Sequence, residues 1–331
     1  MKKSLLALAV LGAFAGAASA QSSVTIYGSI DMSVAKNDGA AANPGAPAGE
    51  AWTLQQSNGS RLGFQGNEDL GGGLSAQFQI EHRYNPDTGA LNNPNVFWQG
   101  RSYVQLSSAT AGRVYLGREY TPAFWPAVKS DPFGWDGVGQ MGTMQWAGYL
   151  STGGVRAPNS IGYRSPNWGG FTLNAATGLG EAATSRMDGF NLEYGAGPLY
   201  VGFGYEKQAQ GPAATDGNGV LNFAAHYDFG FAKLIGYYAQ AELTDPLTGV
   251  GGGMDSKSYM VAAKIPVGAG TIKTAYIEMI PDGANNDRTK FGLGYDHPLS
   301  KRTTLYADYG MATQDGVDDS NAFAVGVKHT F

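Results

Sequence analysis

The chain has 331 residues, with 22 Lys and Arg against 27 Asp and Glu, a formal charge of −5, and no Cys. This slight acidity argues against a nucleic-acid surface, which needs a basic patch or stripe. The lack of Cys removes thiol chemistry, thiolate metal sites and disulfide frameworks together. The first twenty residues form a targeting segment. Lys2 and Lys3 make a positive start, Leu5 to Phe14 an apolar stretch, and Ala18-Ser19-Ala20 a small-residue cleavage site. The apolar stretch is shorter than the about 20 residues a membrane-crossing helix needs, so residues 1–20 are expected to be a cleaved signal peptide. The mature unit, 21–331, then carries a formal charge of −7, because Lys2 and Lys3 are lost.

Gly supplies 50 residues, about twice the usual share of roughly 7%. Aromatics make up 12% and charged residues only 15%, a poor composition for a soluble surface. It suits short alternating strands that are apolar outside, small or polar inside, and aromatic at both membrane interfaces. A closed barrel also explains how an exported chain coheres without disulfides, since no strand edge stays unpaired.

In chain order, Val24, Ile26, Ile30, Met32 and Val34 alternate with Thr25, Tyr27, Ser29, Asp31 and Ser33. Successive strand side chains face opposite sides, so one face is lipid-like and the other wet. Leu74-Ala76-Phe78-Ile80 against Ser75-Gln77-Gln79-Glu81 repeats the pattern, as does Val104-Leu106 against Arg101-Tyr103-Gln105. Sixteen strands are predicted. They begin near residues 24, 52, 74, 98, 113, 156, 171, 187, 199, 220, 231, 256, 271, 288, 303 and 321. An even count is the rule for bacterial single-chain barrels. Short connections such as Gly66–Gly73, Ala109–Gly112 and Pro298–Arg302 alternate with long ones, among them Lys36–Ala51, Tyr120–Val155 and Ala312–Ser320. Short periplasmic turns and long external loops are the asymmetry of outer-membrane barrels. Three features oppose a soluble sandwich. No second, inner apolar set is evident, the polar face carries Arg61, Glu81, Arg101 and Arg156, and residues 321–331 alternate to a terminal aromatic.

The segments Ser23-Val24-Thr25-Ile26-Tyr27-Gly28, Ser60 to Leu74, Asn159 to Pro166 and Gly326 to Phe331 together resemble the trimeric general porins of β-proteobacteria. The similarity covers essentially the whole mature chain. It implies an all-β fold, a 16-stranded antiparallel transmembrane β-barrel with its third loop folded into the pore, assembled as a homotrimer. It further implies a water-filled channel for ions and small hydrophilic solutes, set in outer-membrane lipid and lipopolysaccharide, with no cofactor and no enzymatic activity. Phe331 resembles the C-terminal signal read by the barrel-assembly machinery, and it also suits a lipid-facing interfacial aromatic.

Tyr120–Val155 is the longest connection, at a length where a loop is usually functional. Its aromatics, with Asp131 and Asp136, suit packing against a wall, and Asp131-Pro132-Phe133-Gly134-Trp135-Asp136 looks like the family's constriction-loop tip. Opposite it Arg61, Arg101 and Arg156 have inward parity beside outward Leu62, Gly100 or Ser102, and Ala157, and match the family's basic wall positions. Arg83 shares that parity near a strand end. Two readings stay open: a transverse field across the pore, or arginines that pair with loop carboxylates and hold the loop down. Fixed positive charge favours anions, and the global charge of −7 is screened beyond about 10 Å in ordinary salt.

Gly137-Val138-Gly139-Gln140-Met141-Gly142 spells G-x-G-x-x-G but follows no buried parallel strand, so it is not read as a dinucleotide site. The four His are isolated, without ligand spacing. Asp315 to Asp319 is expected to be a solvated loop. A substrate-selective channel, or a barrel adhesin or enzyme, stays open beside general diffusion. Bilayer conductance separates them.

Overall fold

The computed structural model describes residues 23–147, 149, 154–181, 186–209, 217–243, 255–282 and 286–331. The expected signal peptide lies outside the described residues. Six strands open the barrel: β1 Ser23–Asn37, β2 Arg61–Gly71, β3 Leu74–Asn85, β4 Arg101–Ser108, β5 Gly112–Tyr120 and β6 Arg156–Arg164. Five follow: β7 Phe171–Gly178, β8 Arg186–Ala196, β9 Leu199–Ala209, β10 Gly219–Asp228 and β11 Lys233–Glu242. The last are β12 Ser256–Val267, β13 Gly270–Pro281, β14 Arg288–Pro298, β15 Thr303–Gln314 and β16 Val317–Thr330.

Each strand runs antiparallel to its sequence neighbours, and β1 closes the ring on β16. Gly28 and Phe331 exchange both backbone hydrogen bonds at 3.1 Å, so the last residue completes the seam. In hydrocarbon every unpaired N–H or C=O is costly, and closure leaves no edge to pay for. Outward and inward faces are distinct. Val24, Ile26, Ile30 and Val34 are 44–68% exposed, whereas Ser29, Asp31 and Ser33 on the same strand are at most 2% exposed.

Three expectations are corrected. The strand expected from residue 52 is split. Thr53–Gln55 pairs briefly with β1, and β2 starts only at Arg61. Asp31 causes the break, its carboxylate accepting from the N–H of Ser57 at 2.7 Å and Asn58 at 2.9 Å. The long loop expected over 312–320 does not form. β15 and β16 run through it to a tight Asp315-Gly316 turn with Gly316 at φ 72°. Asp-Gly is a strong hairpin signal, and here it overrides the acidic composition.

The third correction is an inner apolar set. Ile235, Tyr237, Met260 and Ile277 lie on the inner face of β11–β13, buried with Phe124, Phe133, Met141 and Trp146 of the connection after β5. The molecule's main apolar cluster therefore lies inside the barrel, between wall and loop.

Candidate pore constriction

The basic wall is carried on β2–β6. Arg61 and Arg83 are register partners across β2 and β3, and Arg61 Nε donates to Ser29 Oγ at 3.3 Å. Arg83 meets Glu81 Oε1 at 2.8 Å and donates to Gly59 O at 3.2 Å and Tyr120 Oη at 3.1 Å. Arg101 meets Glu119 Oε1 at 3.1 Å and donates to Gln79 Oε1 at 3.1 Å. Arg156 donates to Tyr120 Oη at 2.5 Å, with its guanidinium 4.3 Å from the centre of that ring.

Arg83, Arg101 and Arg156 thus converge on Tyr120, the last residue of β5, with Arg61 alongside Arg83. Their route inward differs from the expected one in one place. Ala157 does not face lipid but is buried with Tyr115, Ala176 and Met187. A register shift at Gly117/Glu119 and a left-handed Asn159 (φ 51°) reset the alternation, which is how Arg156 still reaches Tyr120.

Sequence reasoning placed Glu81 on this polar face but missed Glu119 and a fifth arginine. Glu119 is fully buried and is shared between Arg101 and Arg164, the latter at 2.8 Å. Arg164 and Arg101 also flank the Trp125 indole, 5.6 and 5.5 Å from its centre. The signal for Arg164 was its place in β6, two residues on from Gly162 and on the same face. The five guanidinium groups gathered around Tyr120 and Trp125 therefore meet two carboxylates, Glu81 and Glu119. Three positive charges are left over.

The connection between β5 and β6 lies along the inner face of the opposite strands. Its helix α1, Phe124–Ser130, packs on β10 and β9, where Asn222 Nδ2 donates to Ala123 O at 2.9 Å. The one-turn α2, Gly142–Gln145, sits on β13 and β12, with Tyr237 Oη donating to Gln145 O at 3.0 Å and Ser258 Oγ to Met144 O at 2.5 Å. Between the helices the chain crosses β14 and β15 at a slot made by the register partners Gly292 and Gly310. A Cβ at Gly310 would stand 2.0 Å from Val138 O, and one at Gly292 would stand 2.4 Å from Gly139 O. The G-x-G-x-x-G stretch is therefore a backbone seated against a backbone. The first long loop covers it from the other side, with Lys290 Nζ donating to Pro44 O at 2.6 Å and Asn43 Nδ2 to Gly310 O at 3.0 Å.

This slot makes a test. Gly310→Val is expected to push the Val138 segment off the wall into the lumen and lower single-channel conductance. Unchanged conductance would show that the seat does not set the open area.

The two loop carboxylates part ways. Asp131 is 2% exposed and does not face the lumen as expected. Its oxygens accept from the N–H of Phe133 at 2.9 Å, Trp135 at 3.0 Å and Met141 at 3.0 Å. Burial pushes its carboxyl above the ordinary range, and these three N–H groups oppose the shift. Asp131 is the knot of the loop.

Asp136 is half-buried and lies at the wall, accepting from Gly59 N–H at 3.2 Å. Burial raises its carboxyl as well, opposed by Lys328, that N–H, Arg83 and Arg61. Among the described residues no wall arginine forms an ion pair with Asp131 or Asp136; the pairs found are with Glu81 and Glu119. The loop is thus held by its glycine seat and its apolar face rather than by ion pairs between its carboxylates and the arginines, two of which pack on Trp125.

A closed ring with an apolar outside, a charged inner wall and short turns at one end is a membrane-spanning β-barrel of the channel type. Comparison with known proteins agrees. A family model for Gram-negative porins matches residues 7–317. Outer membrane porin protein 32 of Delftia acidovorans is 37% identical over 99% of this chain and 95% of its own length. An outer membrane porin protein of Bordetella pertussis is 31% identical over the full length of both. The solved anion-selective porin from Comamonas acidovorans superposes with a TM-score of 0.81 at 32% identity, covering 94% of this chain and 100% of that one. The chain belongs to the Gram-negative porin family. It is a multi-pass β-barrel of the outer membrane that forms a porin channel.

Proposed function

We propose that this porin is a general diffusion channel that prefers anions, with its constriction between the arginine wall and the third long loop. The observation that carries this reading is the surplus of guanidinium groups over carboxylates around Tyr120. Arg61, Arg83, Arg101 and Arg156 supply the field on one side, with Arg164 beside them, and Asp136 supplies the nearest loop carboxylate. The likeness to an anion-selective porin supports the same sign. Zero-current potentials in a KCl gradient test it: chloride preference is expected, and cation preference would overturn it.

The proposal extends to assembly. The chain is exported with residues 1–20 removed, joins two copies of itself in a homotrimer bedded in lipid and lipopolysaccharide, and presents Phe331 to the barrel-assembly machinery. The Phe331 ring, 40% exposed at the β1–β16 seam, supports that last role.

Chloride preference should rise as the pH falls from neutral toward the ordinary Asp range near about 3.9. The sign follows from Asp136. Its raised pKa makes it take up a proton before an ordinary Asp does, which removes a negative charge beside Arg61 and Arg83. Asp136→Asn is expected to flatten this part of the pH profile. A wild-type preference that falls on acidification would contradict the assignment.

A further inference from the structure

Beside the constriction, toward the short turns, the inner wall holds a cleft of ≈ 270 Å³ between β5–β8 and α1. We propose that this cleft is a second anion site, one that takes small organic carboxylates carrying a hydrogen-bonding substituent. The inference rests on the chain being an anion channel, shares Arg164 with the wall, and otherwise concerns residues outside the Tyr120 cluster.

A single register row crosses the cleft. Arg113 of β5 opposes Arg164 of β6, Arg164 opposes Asn174 of β7, and Asn174 opposes Asn191 of β8. Like charges directly opposite each other weaken a ladder unless something sits between them. Arg164 is partly neutralised by Glu119, and Lys129 by Glu193. Among the described residues Arg113 has no carboxylate partner, so the row keeps an uncompensated positive charge facing the cleft. Asn174 is 7% exposed, and neither its amide oxygen nor its amide nitrogen has a hydrogen-bond partner among the described residues. A buried amide of this kind calls for a partner that brings both polarity and fit. A carboxylate between Arg113 and Arg164 pairs with both guanidinium groups, and a neighbouring hydroxyl donates to the Asn174 amide oxygen. Chloride, which can only accept, leaves the Asn174 amide oxygen unmet.

Lactate and propionate probe this, since they share a carbon count and differ by one α-hydroxyl. Each is added on the short-turn side to single channels in KCl, and half-block is read relative to each variant's own KCl conductance. Lactate is expected to half-block at about fivefold lower concentration than propionate, the effect of one net hydrogen bond. Asn174→Ala is expected to bring lactate to the propionate value, and Arg113→Gln to weaken both acids alike. Asn174→Val serves if the alanine variant forms no channels. Equal block by the two acids in the wild type, or a lactate advantage that survives at position 174, overturns the site. A cation-preferring zero-current potential in the same membranes would instead overturn the anion reading and leave the lactate comparison to stand on its own.

Discussion

Replacing Arg61, Arg101 and Arg156 together with Gln is expected to abolish chloride preference and tip the channel toward cations. The wall then keeps Arg83 and Arg164 against Glu81 and Glu119, so its surplus is gone, and Asp136 loses Arg61 and keeps only Lys328 and the already paired Arg83 beside it. A unit charge about 10 Å from a permeating ion contributes ~0.4 kcal/mol in water, and three contribute ~1.2 kcal/mol. Screening reduces the sum to about 0.9 kcal/mol at 0.01 M salt and about 0.5 kcal/mol at 0.1 M. Anion and cation shift in opposite senses, so the permeability ratio should fall about twentyfold at low salt and about fivefold at 0.1 M. The salt dependence is the sharper part of the prediction. A loss of equal size at both salts would mean that pore shape, not field, had changed.

Asp131→Ala should leave selectivity largely in place and disturb the open state instead. It strands three buried N–H groups, at about 1–3 kcal/mol each, which is enough to loosen a single loop. Currents are expected to become noisy, with closures at voltages that the wild type sustains. Asp131→Asn retains one acceptor oxygen and should lie between the two. Quiet, wild-type-like currents from the alanine variant would mean that the loop does not depend on this knot. The KCl zero-current potential should move far less than in the triple arginine variant, which separates loop order from wall charge.

The strands were legible because period-two alternation is a strong signal where one face meets lipid, as on β1. Turns were legible where Gly and Asn cluster. Asp315-Gly316 was not, because two charged neighbours masked a dipeptide that makes a hairpin in two residues. The break before β2 could not be read either, since it depends on Asp31, some 26 residues earlier in the chain, capturing the N–H of Ser57. The inner apolar cluster had a visible trace in adjacent apolar pairs such as Leu234-Ile235, Tyr259-Met260 and Tyr276-Ile277. A strand apolar on both faces must have its inner face covered, and the aromatic connection was the available cover. Of the wall residues, Arg61 and Arg101 were expected from inward parity together with the family's basic positions, and Arg83 from parity near a strand end. Arg156 reached its place through a register shift that parity does not contain. Asp131 was expected at the lumen because residues 131–136 resemble the family's constriction-loop tip, and a motif gives a charge but not the direction in which it points.

The paired glycines Gly292 and Gly310 carry a consequence for how this channel can change over time. The loop meets the wall there through main-chain atoms, so the bore is set by a contact that most side-chain replacements on the loop leave intact. On the reading proposed above, charge preference is set elsewhere, on β2–β6, by arginines that form no ion pair with the loop. Size exclusion and ion preference are therefore written in separate parts of the chain. A lineage can retune what its channel admits by charge without altering how large a solute it admits.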